Sequence, residues 1–178
     1  MKKLFYFSAV LMLLLFSCKK ASTPAPAPPV ISFASFTITD NENAILTFNF
    51  NDPDGDIGLN QSDTTGVYAL GQVGNSDFYM RYYYLSPTTG NYMPFHQQFG
   101  SVPNPLSDSM IFAYRIPFVT DNIKSKTLDG QIIINIAGYT ASAYVDSLAH
   151  FRYEFWMYDR AMHKSNVVTT PGFYKLFH

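Results

Sequence analysis

The strict alternation of FRYEFWMYD, residues 151–159, constrains this chain more than any other feature. Phe151, Tyr153, Phe155 and Met157 fall on one side, and Arg152, Glu154, Trp156 and Tyr158 on the other. A period of two places one set in a core and the other on a wetter face, as a strand does and a helix cannot. AILTFNFN, 44–51, repeats the pattern, with Leu46, Phe48 and Phe50 opposite Ile45, Thr47 and Asn49. Further β-favouring runs occupy 31–38, 77–86, 92–99, 110–119, 131–138 and 165–171, separated by turn signals such as PTTGN and Asp129-Gly130. Pro117 is expected to end pairing or sit at a sheet edge. The best helical segment is SAYVDSLAH, 142–150. Acid usage agrees with loops and strands: the chain has eleven Asp but only Glu42 and Glu154, and Glu is the helix former of the two.

About eight strands with short connections predict an all-β, two-sheet sandwich of immunoglobulin or fibronectin type III kind. The alternative architecture is a small closed β-barrel. The domain spans 31–178, about 148 residues, enough for one sizeable core.

The N-terminus carries different information. Lys2 and Lys3 precede an uncharged apolar run from Leu4 to Phe16, about thirteen residues. That length suits a secretory signal and is short for a membrane span. The run ends in Leu15-Phe16-Ser17-Cys18, which resembles the lipobox of bacterial lipoproteins. The resemblance implies cleavage of residues 1–17 and acylation of Cys18. Cys18 is the only cysteine, which excludes a disulfide framework and fits an anchor. Residues 18–30, with four prolines among small residues, read as an extended tether whose twelve residues after Cys18 reach roughly 37 Å at ~3.1 Å per residue. A membrane partnership through the lipid on Cys18 is therefore expected.

Two stretches resemble a family of uncharacterised Bacteroidota lipoproteins with an immunoglobulin-like domain. FNFNDPDGDIGL, 48–59, is similar to its DGDIG signature, and YDRAMHKSNVVTTP, 158–171, to its terminal motif. Met162-His163 stands where Gly-Asn is usual there, and Gly accommodates a positive φ far more readily than Met. The resemblance implies a fold and a location, and no activity: an acidic run after the Cys tends to mark surface export in that family, so Lys19 and Lys20 in its place imply the periplasmic face of the outer membrane over the cell surface.

The candidate chemistry lies in the first of those stretches. Asp52, Asp54 and Asp56 alternate around Gly55, the spacing by which Asp-x-Asp-Gly-Asp loops offer carboxylates to Ca²⁺. Asp63 falls where such a loop would close, and Asp159, in the loop after 151–158, is expected at the same end of the sandwich. The metal candidates are thus Asp52, Asp54, Asp56, Asp63 and Asp159, with Ca²⁺ as the cofactor. The competing reading is a capped turn, Asp52 and Asp56 bonding backbone N–H groups. Asp159 is either a cross-loop ligand or the partner of Arg160. His163, in a turn, is expected to be solvated.

Tyr82, Tyr83 and Tyr84 put rings on both faces of one strand. One face belongs to the core; the other, continued by Tyr92 and Phe95, either packs beneath a loop or stacks on a glycan or peptide. The mature chain keeps ten basic and thirteen acidic residues, about −3 with His neutral, and no basic patch for nucleic acid. No zinc-enzyme, nucleophile-elbow or phosphate-loop motif occurs. The sequence therefore reads as a non-enzymatic binding or accessory module of the cell envelope, partnered by an envelope protein or a glycan. An envelope hydrolase using Asp pairs is the rival.

Overall fold

The computed structural model describes residues 27–40, 42–95, 111–119, 127–138 and 150–175. Cys18, the signal segment, most of the tether, the 142–149 part of the helical candidate, His96 and His178 lie outside them.

Among the described residues, nine strands form two antiparallel sheets. The first contains β1 (Val30–Ile38), β2 (Asn43–Asp52) and β6 (Leu128–Ala137), with β2 in the middle. The second is built on β3 (Phe78–Leu85) and β7 (His150–Met157). β4 (Tyr92–Pro94) and β5 (Ile111–Tyr114) pair with β3, while β8 (Val168–Thr169) and β9 (Phe173–Tyr174) pair with β7. The chain crosses from the first sheet to the second after β2 and again after β6, the Greek-key route of immunoglobulin-like sandwiches. The sheets do not close into a barrel, and the described residues include no α-helix.

The alternations define the core as expected. Leu46 and Phe48 of β2 meet Phe78, Met80 and Tyr82 of β3, and Phe151, Tyr153 and Phe155 of β7, all fully buried. Phe48 stacks on Phe78 at 5.1 Å and Tyr82 on Phe151 at 5.5 Å. Offset and edge-on aromatic pairs of this kind add to the area they bury. β1 needs an irregularity to join this core. Its register shifts between Phe33 and Ser35, so that Phe33 and Phe36, three apart, both pack inward.

Some strands are shorter than the sequence predicts. β5 ends at Tyr114; beyond it Pro117 makes only an isolated parallel bridge to Leu59, consistent with its missing N–H. The last run contributes two residues, Val168–Thr169, to β7.

Candidate metal centre

The ends of β2 and β7 lie at one end of the sandwich, together with the start of β1, where Val30 pairs with Asn51. Asp52 is the last residue of β2 and is wholly buried. The chain then turns sharply, with Gly55 at φ 73°. The Asp56 N–H donates to Asp52 Oδ2 at 2.7 Å, so one oxygen of Asp52 does cap the turn. Ile57, fully buried, pins the loop to the core. Gly58, at φ 90°, lets it pass Pro117, whose carbonyl would stand 2.5 Å from any Cβ there. Leu59 then bonds both ways with the 116–118 segment, at 2.8 and 3.2 Å.

Asp159 arrives from the other sheet. It is 2% exposed and opens a tight turn in which its Oδ1 accepts the His163 N–H at 2.7 Å. Its Oδ2 lies 2.7 Å from His163 Nδ1. Met162 completes that turn at φ 67°, a backbone region that strongly favours glycine. The Arg160 N–H joins the two loops by donating to the Asp56 carbonyl at 3.2 Å.

The result is a cluster. Asp52, Asp54, Asp56 and Asp159 each present a carboxylate oxygen within 4.8 Å of the others. That span is about twice a Ca²⁺–oxygen distance of ~2.4 Å. Oδ1 of Asp52, of Asp54 and of Asp56 are all buried and accept no hydrogen bond. Buried polar atoms in folded proteins are nearly always paired, so three together on facing carboxylates call for a positive partner. The electrostatics respond accordingly. Burial first, and Asp54 beside it, push Asp52 up to about 7. Asp56 rises to about 6, through burial and then the Asp159 and Asp54 charges. His163 is raised by its bond to Asp159.

Asp63 is not part of this centre, which corrects its place among the expected ligands. Arg160 Nη1 holds it at 2.6 Å, and the Asn60 N–H donates to the same oxygen at 2.7 Å. Both interactions pull its carboxyl below the usual range, the Arg160 bond most. Asp159 correspondingly does not pair with Arg160. Arg115 fixes the same loop by donating to the carbonyls of Asn75, Asn60 and Asp63 at 2.6–3.1 Å. His163, expected to be solvated, is instead held: its side chain is 35% exposed and is committed to Asp159. Its spacing of four from Asp159 was the one available signal.

The aromatic candidates separate by strand face. Tyr82 is fully buried, and Tyr84 and Phe95 pack against the core. Tyr83 and Tyr92 lie on the outer face, both beneath the Arg152 guanidinium, at 5.6 and 4.3 Å from their ring centres. Trp156, left open by the sequence pattern, is half-buried on that face beside Tyr79, with Lys164 4.6 Å above its ring. Arg152 and Lys164 thus lie over the rings of the outer face.

One further carboxylate is buried. Asp77 accepts the Ile116 N–H at 2.7 Å with Oδ1, while Oδ2 is buried without a partner. Burial pushes it up to about 7.

The fold and centre together define an immunoglobulin-like β-sandwich with a four-aspartate cluster between its two sheets. No protein-family model matches the chain, and no curated protein matches its sequence.

Proposed function

We propose that this protein is a lipid-anchored, non-enzymatic β-sandwich of the cell envelope whose Asp52, Asp54, Asp56 and Asp159 hold a hard divalent cation, Ca²⁺ being the natural choice. The observation that carries the cation is the convergence of three buried, unpartnered carboxylate oxygens with Asp159. An all-oxygen set of acidic ligands suits Ca²⁺, whose remaining positions water or backbone carbonyls fill. Like charges at this spacing repel by roughly 3 kcal/mol per ionised pair at an effective dielectric of ~20, and a bound cation reverses that sign.

The ion is structural in this reading. It joins the loop after β2 to the turn after β7, and so couples the two sheets at the end where the chain enters. With acylated Cys18 and the Pro-rich tether, that end faces the membrane, and the rest of the sandwich is presented to an envelope partner. The periplasmic face of the outer membrane is the proposed location, and the similarity to Bacteroidota lipoproteins belongs to the same proposal. Catalysis is not part of it, because carboxylates crowded on one ion leave no separated acid and base.

Calorimetric titration of the chelator-treated full chain in detergent tests the cation: one Ca²⁺ per chain is expected, and no binding at millimolar Ca²⁺ overturns the reading. Metabolic labelling with palmitate tests the anchor. Label is expected on the wild type and lost in Cys18→Ser.

A further inference from the structure

Two ligand sets overlap at the centre. Asp52, Asp54, Asp56 and Asp159 form an oxygen-only set; Asp54, Asp159 and His163 form a second, with ligand atoms again within 4.8 Å of one another. Asp54 and Asp159 belong to both. We propose, building on the cation site above, that His163 makes the centre a dual-class site: it takes a borderline first-row divalent ion such as Zn²⁺ with His163 Nδ1 as a ligand.

Imidazole nitrogen is a poor partner for Ca²⁺ and a preferred one for Zn²⁺ and its neighbours. Three protein ligands of the His and carboxylate type, with further positions open, satisfy Zn²⁺ at ~2.0–2.2 Å. His163 is already held there: its backbone N–H is fixed to Asp159 Oδ1 and its Nδ1 lies 2.7 Å from Asp159 Oδ2. A small rotation of the ring exchanges that contact for the ion, and the neutral imidazole keeps its proton on Nε2. The site does not rest on clustered acids alone. Asp52, wholly buried, carries an unpartnered Oδ1 and belongs to the oxygen set that shares Asp54 and Asp159 with this one. With Ca²⁺ bound, His163 stays outside the coordination sphere and orients Asp159, as partners of metal ligands commonly do.

The test compares wild type with His163→Asn, using CaCl₂ and ZnCl₂ separately on the chelator-treated full chain in detergent. The backbone bond from residue 163 to Asp159 survives this change, so the turn is retained. The expected result is a loss of at least tenfold in Zn²⁺ affinity with Ca²⁺ affinity moved less than threefold. In wild type, Zn²⁺ should also shift the His163 Nδ1 resonance in a ¹⁵N imidazole spectrum by direct ligation, and by more than the change Ca²⁺ causes through Asp159. Unchanged Zn²⁺ affinity, or equal loss for both ions, overturns the proposal and leaves the Ca²⁺ site standing. Failure of Zn²⁺ alone to bind wild type likewise overturns this proposal, and failure of both ions overturns the cation site itself.

Discussion

Two sets of aspartates occupy the same end of the sandwich and are treated in opposite ways. Asp63 faces Arg160 at 2.6 Å, accepts a backbone N–H, and is held below its ordinary pKa. Asp52, Asp54, Asp56 and Asp159 face one another, and burial drives Asp52 up to about 7. Arg160 directly follows Asp159 in the chain yet reaches across to Asp63. The chain therefore has a cation beside the cluster and directs it elsewhere. Density of acidic residues therefore does not decide a carboxylate's state; what the fold places opposite it does.

The most damaging way to break this comparison is Gly58→Ala, because Gly58 links the two sets. A Cβ would meet backbone at 2.5–2.8 Å, in a conformation at φ 90° that disfavours side chains. A loss of about 3 kcal/mol is expected in denaturant unfolding, combining overpacking and backbone strain. Both the Asp63–Arg160 pair and the metal response should suffer together.

Asp52→Asn separates the sets. The amide keeps an acceptor for the Asp56 N–H and removes one buried charge. In chelator this variant should be at least as stable as wild type, whereas saturating Ca²⁺ should leave it less stable. A turn-only role for the loop predicts a small loss that Ca²⁺ does not alter.

Acidity sharpens the contrast further. Asp52 at about 7 and Asp56 at about 6 lie above the ~3.9 of an unfolded aspartate. Between about pH 4 and 7 the folded, cation-free chain therefore holds more protons than the unfolded one, and its stability falls as pH rises. Asp77, raised to about 7, contributes the same slope from a separate place. Urea unfolding across that window should show the decline in chelator, a flatter profile with Ca²⁺, and a reduced slope in Asp77→Asn. A profile that rises with pH in chelator would contradict the charge states assigned to both sites.

Asp63→Asn should have the smallest effect. The pair it breaks keeps part of its surface in water, and Asn retains an acceptor for the Asn60 N–H, so little stability is lost. Its melting temperature should stay close to that of wild type, with the Ca²⁺ response intact. Loss of that response would return Asp63 to the ligand set.

The sandwich was legible because alternation in 44–51 and 151–158 fixes which side chains enter the core. The same topology brings Asp159 to the Asp52–Asp56 loop, a contact across more than a hundred residues that follows from strand order alone. Local conformations were not legible in this way. The place of Asp63 depends on Ile57 being buried and Gly58 adopting a positive φ, which swing the loop toward Arg160. His163 reaches Asp159 through a turn that puts Met162 at φ 67°, and no propensity of Met announces it. The register shift in β1 and the burial of Asp77 likewise depend on tertiary packing rather than on local pattern.

The central claim is that the four aspartates bind a cation in the folded state. Its most direct test is the melting temperature of the full chain in detergent, stripped with chelator and then titrated with Ca²⁺. Binding to the folded state alone predicts a rise of roughly 5–10 °C at a hundredfold excess over Kd, absent in Asp52→Asn. A melting temperature that stays constant to millimolar Ca²⁺ would contradict the claim.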